Sequence, residues 1–166
     1  LAIAEKLQAP IVHTMRGKEF VEPDNPYDVG MTGLLGFSSG YAALKDCDTL
    51  LMLGTDLPYQ QFYPDDATVI QVDVRGSQIG RRTKVDIPLV GTVADTVEAL
   101  LPKIKANRSS THLKSLTKHY QKTRKDLDEL ATPSKRTIHP QYLTRLIDEM
   151  ADDDAVFVPD VGSPVV

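Results

Sequence analysis

The chain has a single cysteine, Cys47, among its 166 residues, so no disulfide can form within it. A lone cysteine fits a reducing compartment. Asp46 and Asp48 flank it, which should raise the thiol pKa and leave it an inert structural residue. There is no surplus of positive charge. Nineteen Lys and Arg against 23 Asp and Glu give a net charge of −4 and a pI near 5.5, the wrong sign for a nucleic-acid partner. No apolar run reaches the roughly 18 residues of a membrane span, and no signal peptide is expected.

Motifs for metal and hydrolytic chemistry are also lacking. His13, His112, His119 and His139 are scattered without an H-x-x-x-H spacing, so no metal site is expected. "GFSSG" (36–40) has the letters of a hydrolase elbow but not the preceding strand that motif requires. Ser39 is therefore not expected to be a nucleophile, and no residue of this chain is expected to be catalytic. A full G-x-G-x-x-G is absent as well.

What is present is an ordinary core composition, 41% hydrophobic and 25% charged, in a length that fits one domain or one domain plus a piece of another. The chain opens on Leu1 and ends at "VGSPVV", the look of an excised segment. "LAIAEKLQ" (1–8) reads as the last turns of a helix and "PIVHT" (10–14) as a short strand. "RGKEFVEPDNPYDVG" (16–30), with two prolines and two glycines, reads as a long loop, and 34–45 as a helix. "TLLMLG" (49–54), "ATVIQVD" (67–73) and "IPLVG" (87–91) are short apolar runs of the kind that form buried parallel strands. Apolar residues at 93, 97, 100, 101 and 104 mark an amphipathic helix, with Thr92 as its N-cap. Strands alternating with helices predict an α/β fold, a Rossmann-like doubly wound parallel sheet with helices on both faces.

From about residue 109 the texture changes. A long surface helix over 109–131 closes a first domain, 1–131, and "TPSKRTIHP" (132–140) is a linker. Residues 141–151 start a new amphipathic helix and "AVFVPDVG" (155–162) a new buried strand, so 141–166 reads as the opening of a second domain.

Ligands of parallel sheets sit outside the carboxyl ends of the strands, and three features fall there. Gly54 ends a strand, with Thr55 and Asp56 behind it. Asp73 ends the next strand, 19 residues further on, where dinucleotide folds place an acid against a ribose hydroxyl. Amides of Met31, Thr32, Gly33 and Leu34, at the expected start of a helix, suit a phosphate or ribityl chain. Plainer roles fit the same residues. The glycines at 33, 36 and 40 would also let a helix lie close to the sheet, Gly54 would serve as a turn glycine, and Asp73 would cap "VRGSQIG".

Longer blocks carry a family resemblance. "APIVHTMRGKEFVEPDNPYDVGMTGLLGFSSGYAAL" resembles the central domain of the thiamine-diphosphate enzymes of the pyruvate oxidase and acetohydroxyacid synthase group. The matching positions are Thr14, Gly17, Lys18, Pro23, Asn25, Pro26, Gly30, Gly33 and Gly36. "CDTLLMLGTDLPYQQFYPDDATVIQVDVRGSQIGRRTKVDIPLVGTVADTVEALL" continues the match, and "TIHPQYLTRLI" with "DDAVFVPDVGSPVV" is similar to the start of the diphosphate-binding domain. Glu19 replaces the last glycine of the family's "GKG", and "DVRG" lacks its usual proline. "GMTGLLGFSSG" with "GTDLPYQQFYP" is most similar to the quinone-dependent pyruvate dehydrogenase branch.

The resemblance implies a central domain that holds FAD along Met31, Thr32, Gly33 and Leu34 and along Gly54, Thr55, Asp56, Leu57 and Pro58, with Asp73 at the adenosine end. It implies a parent enzyme that oxidatively decarboxylates pyruvate to acetate and CO2 with thiamine diphosphate, Mg2+ and FAD and passes electrons to a quinone. The alternative is a synthase or decarboxylase of the acetohydroxyacid synthase type, where this domain is a spacer or a structural FAD site. The thiamine and Mg2+ sites, and the domain's first strand, would lie outside this chain, leaving it inactive and a weak FAD binder alone. A homotetramer is implied, cytoplasmic, with peripheral contact to the inner face of the membrane through a C-terminal tail.

Overall fold

The computed structural model describes residues 1–134 and 137–158. They form parallel sheets flanked by helices, the α/β class expected from the alternating pattern. The chain divides into two compact units, Leu1–Tyr120 and Gln121–Val166.

The first unit opens with α1 (Ala2–Leu7), which ends on Gln8 in the left-handed conformation. Strand β1 (Ile11–His13) follows, then a short turn of helix at Met15–Gly17 and α2 (Lys18–Val21). Strand β2 (Asp28–Met31) pairs parallel with β1, and all its residues are buried. The expected loop over 16–30 is thus corrected: it contains α2 and most of β2. Proline and glycine hid both elements, and a strand buried on both faces shows no alternation.

Helix α3 (Ser38–Lys45) leads to β3 (Thr49–Leu53), β4 (Thr68–Asp73) and β5 (Ile87–Val90), a second parallel sheet in the order β3-β4-β5. Helix α3 begins at Ser38 rather than at 34, because residues 31–37 are spent on a turn closed by Gly36 N–H to Gly33 O (3.0 Å) and Phe37 N–H to Met31 O (2.8 Å). Helix α4 (Val93–Leu100) is capped by Thr92, whose hydroxyl accepts the Asp95 amide at 3.1 Å, as its sequence predicts.

Two apolar clusters hold the unit together. Leu44, Met52, Leu57, Tyr63 and Val69 form one, and Val29, Ala43 and Leu116 the other; Val12 packs against both. Leu116 comes from α5 (Thr111–Leu130), whose Tyr120 meets Phe37 edge to face at 5.2 Å.

In the second unit, α6 (Pro140–Met150) starts with Pro140 behind a His139 cap. Its Arg145 donates to the Ala131 carbonyl at 3.1 Å and pairs with Asp128. The strand expected over 155–162 is not formed at 155–158, where Val156, Phe157 and Val158 are 85%, 57% and 88% exposed. A strand needs a paired neighbour, and no strand occurs in this unit among the described residues; 159–162 lie outside them. No helix among the described residues is long and apolar enough to cross a membrane.

Candidate functional site

The described strands run parallel within each of the two sheets, so β3 and β4 end on the same side of theirs. Helix α3 carries the chain from the first sheet to the second. Two relationships connect the sequence-marked segments. Gly54 donates its amide to the Val72 carbonyl at 2.9 Å, one residue before Asp73. The atoms nearest to a Cβ built on Gly33 belong to the Tyr59 ring, at 3.7 Å, and to Leu57 Cδ1, at 3.8 Å. The turn at Gly33 therefore packs close to Leu57 and Tyr59.

The glycine row divides by role. At Gly36 and Gly40 a Cβ would strike the Met31 carbonyl oxygen at 2.7 and 2.5 Å, so these two let α3 lie on β2. Gly33 and Gly54 have room around them but φ values of +113° and +61°, so they are glycines for backbone conformation.

Other members of the expected set are placed less simply. Met31 lies within β2, and the Thr32 amide already donates to the His13 carbonyl at 3.0 Å. The helix start expected at these residues is absent, since α3 begins at Ser38. The Thr32 hydroxyl is buried and has no hydrogen-bond partner, which in a folded protein calls for one. Leu34 is 65% exposed and Leu57 is core. Asp73 is 7% exposed, and its Oδ1 accepts the Arg75 amide at 2.8 Å. It therefore caps the following turn.

Asp56 is occupied. Arg82 Nε donates to Oδ1 at 2.8 Å and Nη2 to Oδ2 at 3.3 Å, with Arg81 Nη1 3.6 Å from Oδ2. The hydrogen bond from Arg82, helped by its charge and those of Arg81 and Arg75, holds the Asp56 carboxyl below the usual range. Behind it the Tyr63 hydroxyl donates to the Leu57 carbonyl at 2.8 Å, and burial pushes that phenol up to about 12.

Arg82 and Tyr63 carry no motif, and sequence reasoning passed over both. The only signal was the adjacent pair Arg81 and Arg82 in a charged loop that also holds Arg75, Lys84 and Asp86. His13 was also underrated. It is buried, with Nδ1 2.9 Å from Asp28 Oδ1 and Nε2 3.8 Å from Glu22 Oε2.

Ser39 is fully buried and donates to the Val29 carbonyl at 2.7 Å, a packing role in line with its sequence context. Burial raises the Cys47 thiol pKa first, and Asp48 and Asp46 add to it. Among the described residues, no cluster of His, Cys, Asp and Glu could hold a metal ion.

The groups here that could serve a nucleotide are two glycines of positive φ, an unpartnered buried hydroxyl at Thr32 and a carboxylate at a strand end. Residues 1–100 match the thiamine pyrophosphate enzyme central domain. A 42.6 kDa Pseudomonas amyloderamosa protein of unassigned function, encoded in the isoamylase 3′ region, is 59% identical over 83% of this chain and 35% of its own length. YdaP of Bacillus subtilis, whose name describes it as thiamine pyrophosphate-containing, is 34% identical over 100% of this chain and 29% of its own. The acetolactate synthase large subunit of Lactococcus lactis is 27% identical over 97% of this chain and 28% of its own. The chain spans about a third of the length of these relatives.

Proposed function

The chain belongs to the thiamine pyrophosphate enzyme central-domain family, and from that premise we propose that it is the FAD-holding domain of a larger thiamine-diphosphate-dependent enzyme that decarboxylates pyruvate. The nearer model is an acetolactate synthase-like enzyme, the type named among the relatives above. The observation that supports the FAD assignment is the nearness of the Gly33 turn to Leu57 and Tyr59 and of Gly54 to Val72, the residue before Asp73, together with the unpartnered Thr32 hydroxyl.

In this reading Thr32 and Asp73 bind polar groups of the nucleotide, Gly33 and Gly54 let it lie on the backbone, and Tyr59 borders it. Thiamine diphosphate and Mg2+ supply the carbon–carbon chemistry from sites outside this chain. This chain's part is to bind and orient the flavin nucleotide and keep it from water.

A second reading, quinone-dependent oxidation of pyruvate to acetate and CO2, draws on one observation. The blocks most similar to that branch, "GMTGLLGFSSG" and "GTDLPYQQFYP", approach each other where Gly33 lies near Leu57 and Tyr59. It would bring a tetramer, a cytoplasmic location and peripheral membrane contact through a tail beyond this chain.

Full-length enzyme supplied with pyruvate, thiamine diphosphate, Mg2+ and FAD separates the two. Acetolactate without flavin bleaching supports the synthase reading. Acetate with flavin bleaching, reversed by a quinone analogue, supports the oxidase. CO2 release in neither form would remove the proposal.

A further inference from the structure

Segment 54–58 is held from several sides by groups that belong to no expected site. Its amide end is pinned by Gly54 N–H to Val72 O at 2.9 Å. The Leu57 side chain is in the core, and its carbonyl is taken by the buried Tyr63 hydroxyl. Between those anchors, Asp56 receives both arms of the Arg82 guanidinium, from a loop 26 residues further along the chain. That loop is itself fixed to the sheet, because Gly80 N–H donates to Gln71 Oε1 at 3.0 Å and Gln71 is buried in β4.

A two-armed guanidinium–carboxylate pair fixes orientation as well as distance. It also leaves no carboxylate oxygen of Asp56 free of a cation. Each oxygen keeps a second lone pair, but the Arg82 pairing fixes the direction in which it points. We propose that Arg82 is a positioning residue: through Asp56 it presets segment 54–58, so that FAD meets an ordered backbone at Gly54 and Thr55. Preordering a segment lowers the entropy lost on binding. This rests on the FAD reading above, and it assigns Asp56 to the clamp rather than to the ligand.

The test uses full-length enzyme with Arg82→Gln, Asp56→Asn and both together. FAD affinity is read by flavin fluorescence, and ordering of segment 54–58 by hydrogen exchange of the FAD-free protein. The expected result is an FAD affinity about tenfold weaker in either single variant, with the double variant no worse than the singles, as for two members of one device. Exchange at Asp56 and Leu57 should quicken in all three. Arg82→Lys should recover only part of the affinity, because one ammonium cannot serve both oxygens in the plane of the carboxylate.

An Asp56→Asn loss well beyond that of Arg82→Gln would show that Asp56 touches the ligand itself and overturn the inference. So would unchanged exchange and affinity in Arg82→Gln. Wild-type enzyme that takes up no FAD would overturn the FAD reading and this inference with it.

Discussion

Gly40 and Met31 touch backbone to backbone: a Cβ on Gly40 would sit 2.5 Å from the Met31 carbonyl oxygen. This approach seats α3 against the end of β2 and so helps set the position of the 31–34 turn. Two effects oppose each other in Gly40→Ala. Helix propensity favours alanine by about 1 kcal/mol, while forcing a methyl group into a backbone carbonyl costs about 1–3 kcal/mol or more. The clash should win. Denaturant unfolding is expected to show a net loss of stability, whereas an unchanged or higher midpoint would mean that α3 can move away freely.

Ser39 should prove structural. Its hydroxyl is fully buried on the Val29 carbonyl, so Ser39→Ala leaves that carbonyl short of a partner at a cost of about 1–2 kcal/mol. Stability should fall by that amount and ester hydrolysis should be absent in both proteins. A serine-dependent esterase activity would contradict this.

At high pH the Tyr63 clamp should release. Its phenol is held up to about 12 in the fold, against about 10 for an exposed tyrosine. A raised folded pKa means that the stabilisation is fully present below about pH 10 and is lost as pH rises towards the folded value. The phenolate absorbance difference between wild type and Tyr63→Phe should appear only near that value. A transition at the ordinary tyrosine pKa would mean that the hydroxyl is not held on Leu57.

At the acid end the relevant group is Asp56, whose pKa is lowered chiefly by its hydrogen bond from Arg82. A lowered folded pKa contributes stability above the ordinary carboxyl value of about 3.9 and loses it as pH falls through the folded one. Nuclear magnetic resonance titration should therefore find Asp56 still ionised where free aspartate is half protonated. Arg82→Gln should return it towards the ordinary value, and an Asp56 that titrates normally in wild type would show that the pair does not persist in solution.

The strands of the second sheet were legible because each is a short, mostly apolar run ended by glycine or an acid, as 49–54 and 67–73 show, but the expected burial fails at β5, which is exposed along its length. β2 was hidden because its glycine and neighbouring prolines look like loop punctuation, although Val29 is wholly buried. The site was half legible. Gly54 and Asp73 are marked by their places at strand ends, which local sequence reports. The roles of Gly33 and Gly36 could not be told apart by letter, since one serves conformation and the other contact. Arg82 was invisible because its partner is 26 residues away, and nothing local records a long-range pair. "AVFV" misled because apolar β-branched composition does not make a strand without a neighbour to pair with.

The central claim is that FAD is held by the Gly33 turn and the carboxyl ends of β3 and β4. The most direct measurement is FAD titration into FAD-free full-length enzyme, wild type beside Asp73→Asn. Asparagine keeps an acceptor for the Arg75 amide, so the turn should survive while the charged acceptor for a hydroxyl is lost. Saturable one-to-one binding in the micromolar range or tighter, about −8 kcal/mol, is expected of wild type, weakened about tenfold or more in the variant. Equal affinity in the two proteins, or no saturable binding to either, would contradict the placement of FAD at this site.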